Sequence, residues 1–367
     1  MIIPIFIMSR GCPRRCLYCN EALTAEHRPE RLEEEGFRKT VLEALDRHRG
    51  RGGPRQIAFY GGTFTGMPRQ EQRRLLGLAA PFLHEGVVDG VRISTRPDEI
   101  DGAGLDLVRG LGVTTVEVGA QSLDDHVLRL SRRGHTAADT HRAFALLKER
   151  GFQTGIHLMA GLPGDSPERF SETIDRVIAL SPDTVRIHPT IVLQDTPLAE
   201  AYGSGDYRPL SLPEAISQCK EALKRLTAAG IDVIRMGIQT TPALEAPGAV
   251  VAGPFHPAFR SLVESAIFFD MAAVLCESAG RGGKGKSLAF RVSPADLSPF
   301  KGPRKANIDA LTRRFAPARI EVAADPSCPR RTLVLTAAHR SAKTDWSGGI
   351  EEVPGQKIPA HRGRMIS

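Results

Sequence analysis

Three cysteines stand within eight positions of one another near the amino terminus, in the run Gly11-Cys12-Pro13-Arg14-Arg15-Cys16-Leu17-Tyr18-Cys19-Asn20. Thiolates spaced C-x3-C-x2-C can ligate three corners of a cubic 4Fe–4S cluster. Electron-transfer clusters use four cysteines, so three leave one iron open to a ligand. S-adenosylmethionine could chelate that iron through its amino and carboxylate groups. One electron from the cluster would then cleave the sulfonium and release a 5′-deoxyadenosyl radical. The alternative is a zinc site completed by a residue such as His27. Zinc sites more often join one C-x2-C pair to a second pair downstream, and no second pair is present.

The elements around this loop must bring it to other chemistry. Residues 2–7, 57–60, 90–94, 113–118, 154–160, 184–188 and 232–235 read as β-strands, separated by stretches with apolar residues at helical spacing. Ser166 and Pro167 sit where a helix cap and first helical turn belong. Strands alternating with helices predict a parallel sheet, and this many repeats in about 240 residues predict a partial or complete (β/α) barrel. The cysteine loop comes directly after the first strand. The second strand runs into Tyr60-Gly61-Gly62-Thr63-Phe64-Thr65-Gly66, where glycines let a backbone approach a ligand closely. Both loops then lie at the strand ends where such barrels place their chemistry. Glu117, His157, Arg186 and His188 interrupt strands that a parallel sheet would keep apolar, so Glu117, His157 and His188 are the candidate catalytic residues. An outward salt bridge or a satisfied core histidine is the alternative for each.

Hydrophobic residues at 41% and charged residues at 25% exclude a disordered or collagen-like chain. No apolar run approaches the roughly 18 residues of a membrane span. The opening residues 1–8 lack a basic leader, so a cytoplasmic protein is expected. Cys219, Cys276 and Cys328 stand alone, as in a reducing compartment. Residues 281–343 hold 14 lysines and arginines against 4 acids, whereas residues 1–280 carry a net charge of −3. The basic stretch begins at a glycine-rich break over 280–285, and its predicted strands (288–292, 319–322, 332–336) and helix (305–315) form a small α+β appendage. The expected organisation is a barrel domain over 1–280, a small basic domain over 285–341 and a flexible tail over 342–367.

Together these motifs resemble the radical S-adenosylmethionine superfamily, and within it the radical domain of the Elongator catalytic subunit. Thr95-Arg96-Pro97-Asp98, Val116-Glu117-Val118-Gly119-Ala120-Gln121-Ser122, Arg133-Gly134-His135-Thr136 and Gly205-Asp206-Tyr207-Arg208 extend the likeness in order. The resemblance implies that Cys12, Cys16 and Cys19 hold the cluster and that Tyr18 lies beside the adenine. It implies that Gly61, Gly62 and Thr63 contact the amino group of S-adenosylmethionine, Gln121 and Arg133 its ribose or carboxylate, and Ala160 and Gly161 its adenine side. Two features depart from Elongator. The cysteine spacing is the ordinary one of the superfamily, and fewer than 100 residues lie beyond the matching region, which reads as a short form without the acetyltransferase domain. Three functions are expected on this basis. The first is a radical enzyme modifying an RNA base, with tRNA gripped by the basic domain and a flavodoxin- or ferredoxin-type reductant. The second is a radical enzyme acting on a small metabolite or tetrapyrrole. The third is a non-catalytic metal protein that binds RNA.

Overall fold

All seven expected strands of the amino-terminal region form, within three residues of their expected ends. They are β1 (Ile2–Phe6), β2 (Gln56–Tyr60), β3 (Gly90–Thr95), β4 (Val113–Gln121), β5 (Gln153–Ala160), β6 (Thr184–Pro189) and, after the short β7 (Val192–Leu193), β8 (Asp232–Met236). The structure is a computed structural model and describes residues 1–7, 11–13, 15–24, 32–50, 52–279, 284–337 and 340–353. His27, the glycines of the expected break at 280–283 and residues 354–367 of the expected tail lie outside the described residues.

The strands pair in the order β1-β2-β3-β4-β5-β6-β8, every pair parallel, and the first and last do not join. The sheet is therefore an incomplete (β/α) barrel, curled but open. Several of its crossover helices begin on side-chain caps. Thr136, Ser166 and Ser211 each accept from a backbone N–H in the first turn of their helices. Phe170, Ile174 and Val177 form the buried stripe of the helix Pro167–Leu180. Between β2 and its neighbours Phe59 is fully buried, with Phe37 at 6.2 Å and Phe64 at 5.4 Å between ring centroids. A ribbon of β7 with β9 (Val250–Ala252) was not expected, because strands of two and three residues leave no periodic signal.

Polar residues also cross the sheet. Glu117 on β4 is 2% exposed and accepts from Arg92 Nη1 of β3 at 2.6 Å, Tyr60 OH of β2 at 2.9 Å and Arg186 Nη1 of β6 at 3.1 Å. Gln56 Oε1 takes the other side of Arg92. The partner of Glu117 across β5 is Gly155, where a Cβ would come within 2.8 Å of the glutamate Cγ. That glycine, weak as a strand former, leaves the room in which the carboxylate sits.

A second compact unit begins at Arg260, so the division falls earlier than the expected break at 280–285. The reason is the helix Phe259–Ser278, which shares a core with residues 300–346: Phe268 packs edge-on against Phe300 and Trp346, and Asn307 Nδ2 donates to the Ser265 carbonyl. The sheet of this unit runs β11 (Arg319–Ala324), β10 (Ser287–Val292), β12 (Thr332–Ala337), β13 (Arg340–Asp345), β14 (Ile350–Val353). The last two strands correct the expectation of a flexible tail from residue 342. Their polar composition hid a regular antiparallel ladder, turned inward at Ser341 and Thr344 and anchored by the buried Trp346. Cys219, Cys276 and Cys328 are free and buried.

Removing one partner of a buried ion pair leaves the other charge uncompensated. Glu117→Ala strands Arg92 and Arg186 and is expected to cost about 3–5 kcal/mol, read from urea unfolding of the intact chain. A catalytic Glu117 without this tie would instead lose activity at unchanged stability.

Candidate active site

The cysteine loop leaves the end of β1, and Ile7 N–H still donates to the Tyr60 carbonyl of β2. Gly11 then adopts φ +73°, a left-handed backbone. A Cβ there would lie 2.2 Å from the Thr63 carbonyl oxygen and 2.8 Å from Met67 N. Gly66 meets the Gly11 carbonyl just as closely from the other side, at 2.4 Å. Cys12 Sγ lies 3.1 Å from Thr63 Oγ1. The loops after β1 and β2 are thus pressed backbone to backbone, with a thiol on the threonine of the Gly-Gly-Thr run. Further along, Leu17 N–H donates to the Ser131 carbonyl, its own carbonyl accepts from Leu198, and Asn20 Nδ2 donates to the Gln194 carbonyl.

The three cysteines face one cavity of about 310 Å³. Tyr18, Gly61, Gly62, Thr63, Gln121 and Arg133 line it too. Arg133 Nη1 donates to Cys16 Sγ at 2.9 Å and to Tyr18 OH at 3.2 Å, while Nη2 holds the Gly119 carbonyl at 2.5 Å. Burial raises the Cys12 thiol and pushes Cys19 up to about 12, with Glu21 adding to both, so ligation of a metal would release protons. Gln121 carries φ +69° at the end of β4, a strained backbone for a residue with a side chain. Its Oε1, Arg133 Nε and Arg96 Nη1 are buried without a hydrogen-bond partner. Three thiols and three orphaned polar atoms around one cavity fit a cluster with a polar ligand. Among the described residues no three His, Cys, Asp or Glu side chains converge on a single ion. A cubane does not require that convergence, since it binds each thiolate at a separate iron.

Farther round the same cavity lie His157, Arg186, His188 and Arg235. The two imidazoles stack edge to face with centroids 4.3 Å apart. Burial, then the charges of Arg186 and Arg133, push His157 down to about 3; burial, then His157 and Arg186, hold His188 well below the usual range. Both are neutral at pH 7. Arg186 also lies over the Tyr60 ring at 4.7 Å.

Most expected site residues therefore meet, but not all of them. Glu117 sits one layer behind the wall, holding Tyr60 and Arg186, and does not line the cavity. Ala160 is fully buried, and Gly161 borders a different cavity, where its carbonyl accepts from Tyr207 OH and its N–H donates to Asp165. Met159 takes their place on the cavity wall, packed against Tyr18. Sequence reasoning passes over Arg235, although it ends an expected strand with a charge, the same signal that marks Arg186.

Known proteins bear on this arrangement directly. The profile described as "Radical SAM superfamily" matches residues 6–177, and that of the "Radical_SAM C-terminal domain" matches residues 182–268. A tRNA uridine(34) acetyltransferase of Dehalococcoides mccartyi is 29% identical over 57% of this chain and 53% of its own length. One from Methanocaldococcus infernus is 37% identical over 34% of this chain and 24% of its own. Elongator complex protein 3 of Mus musculus is 29% identical over 53% of this chain and 37% of its own. The chain thus spans about half or less of these relatives. A solved archaeal Elp3 from Methanocaldococcus infernus, with residues 1–46 deleted, aligns at a TM-score of 0.55 and 23% identity. It covers 72% of this chain and 62% of that one, a likeness of fold.

Gly11→Ala tests the lock between the two loops without touching a thiol. Left-handed backbone costs a residue with a Cβ about 1–3 kcal/mol, and here the Cβ also strikes Thr63. Iron uptake on anaerobic reconstitution is expected to fall well below wild type although all three cysteines remain. Wild-type iron content in the variant would show that the loops need not interlock.

Proposed function

The chain belongs to the radical S-adenosylmethionine superfamily, and we propose that it is a cytoplasmic radical enzyme that modifies a base of tRNA. The observation that carries this reading is the pressing of the cysteine loop onto the Gly-Gly-Thr loop around one cavity. Membership of the family implies a 4Fe–4S cluster and S-adenosylmethionine. In the proposal Cys12, Cys16 and Cys19 hold the cluster. Gly61, Gly62 and Thr63 offer backbone to the amino group of S-adenosylmethionine. Gln121 and Arg133 address its ribose or carboxylate, and Tyr18 and Met159 make the apolar wall for adenine. Ala160 and Gly161 act only by shaping the turn behind that wall. When bound, cluster and S-adenosylmethionine would supply 5′-deoxyadenosyl radical chemistry, given one electron from a flavodoxin- or ferredoxin-type donor.

The names of the relatives, tRNA uridine(34) acetyltransferases among them, point to RNA. Charge supports the same reading. From Arg260 onward the chain carries 18 lysines and arginines against 10 acids. Arg314 is spent on Glu277, Arg330 on Asp296 and Arg291 on Asp325. Arg304, Lys305 and Arg313 are exposed, and none has an acidic partner among the described residues. Arg304 and Lys305 lie just before the helix Ala306–Phe315 with positive φ, and cations there oppose the helix dipole. Phosphates would relieve that opposition. Such contacts position an RNA and leave recognition of the base to the cavity.

The triple variant Arg304→Ala, Lys305→Ala, Arg313→Ala keeps the unit whole. The slope of log affinity for tRNA against log salt is expected to shallow by about 2–3 units. Substrate-free release of 5′-deoxyadenosine should stay at wild type. An unchanged slope, or no tRNA binding at low salt, would favour a small metabolite as substrate.

A further inference from the structure

Two arginines of the cavity wall, Arg186 and Arg235, differ in how their charge is met. Arg186 shares the buried carboxylate of Glu117 with Arg92, which lies behind the cavity wall. Arg235 is half-buried at the end of β8, and its guanidinium donates to the neutral Gln239 Oε1, at 3.1 Å. Among the described residues it has no carboxylate partner. Burial and the neighbouring Arg186 lower its pKa, the mark of a cation lacking a counter-ion. Beside it Arg186 Nε, His157 Nε2 and His188 Nε2 are buried without a hydrogen-bond partner. Buried polar atoms are nearly always paired, so orphans gathered on one cavity wall mark an absent ligand.

We propose that Arg186, Arg235, His157 and His188 form an oxyanion-binding subsite, on β5, β6 and β8, that takes a carboxylate or phosphate group of the substrate. Its residues differ from those proposed for S-adenosylmethionine, which come from the loops after β1 and β2, the end of β4, Arg133 and, on β5, Met159. An anion there would receive charge-assisted hydrogen bonds from two partly buried guanidiniums. It would also fix which end of the substrate faces the cluster loop. The subsite rests on the reading of this cavity as the substrate's, but not on the substrate being RNA.

The test uses the reconstituted full-length protein with two probes, inorganic phosphate followed by 31P NMR and 13C-labelled acetate followed by 13C NMR, each before and after saturation with S-adenosylmethionine. Binding of either probe is expected, with phosphate and acetate distinguishing the two sources of the anion. Arg235→Gln should weaken it at least about tenfold, as expected for loss of a charged hydrogen bond, and Arg208→Gln, at an exposed pair with Glu214, should not. His188→Leu serves if Arg235→Gln does not fold. Absence of binding by both probes, indifference to Arg235→Gln, or displacement by S-adenosylmethionine would overturn the subsite. Release of 5′-deoxyadenosine and tRNA affinity, measured on the same samples, report separately on the radical and RNA readings.

Discussion

A carboxylate with almost no access to water cannot stay charged alone, and Glu117 shows how the rest of the barrel answers that constraint. Its ionised form is expensive to bury unless opposite charges and hydrogen bonds surround it. Arg92, Arg186 and Tyr60 converge on it from three other strands. The result is a polar brace across the inner face of an open parallel sheet, which has no closing strand pair to hold its curvature. Two members of the brace, Tyr60 and Arg186, also line the cavity. The same interaction therefore ties β2, β3 and β6 to β4 and holds two of the groups that line the cavity.

At the other side of the cavity, shape takes over from charge. Gly11 and Gly66 let two backbones touch, and this contact fixes the cysteine loop against the Gly-Gly-Thr loop. Arg133 then ties that loop to β4 through Cys16 and Gly119. A loop is a poor platform for a metal unless its neighbours restrain it. Here restraint comes from the adjoining strand ends, and the orphaned donors and acceptors that remain point at the space between.

Much of this was legible in the sequence, for identifiable reasons. Parallel strands buried on both faces read as short apolar runs, so the seven strands and the positions of the two loops emerged from pattern alone. The cysteine spacing pointed to a three-thiolate cluster, with a zinc site as the alternative. Glu117 stood out as a charge in a strand, but sequence could not say whether its partners lay in the cavity or behind it, because that depends on which residues of distant strands share a register. The resemblance implies Ala160 and Gly161 at the site, whereas Ala160 is buried with its carbonyl on Thr190 and Gly161 bonds Tyr207 and Asp165. The boundary near residue 260 and the strands after 340 were hidden for another reason. A continuous helix masks a change of core, and a polar edge ladder is held by main-chain bonds that leave little trace in composition.

The central question is whether the interlocked loops bind a cluster that delivers radical chemistry. The most direct measurement is iron and sulfide analysis of the anaerobically reconstituted chain, then reduction with dithionite in the presence of S-adenosylmethionine and quantification of 5′-deoxyadenosine. About four irons and four sulfides per chain, with 5′-deoxyadenosine released, is the predicted result. Stoichiometric zinc with no iron uptake, or an intact cluster that never cleaves S-adenosylmethionine, would contradict it.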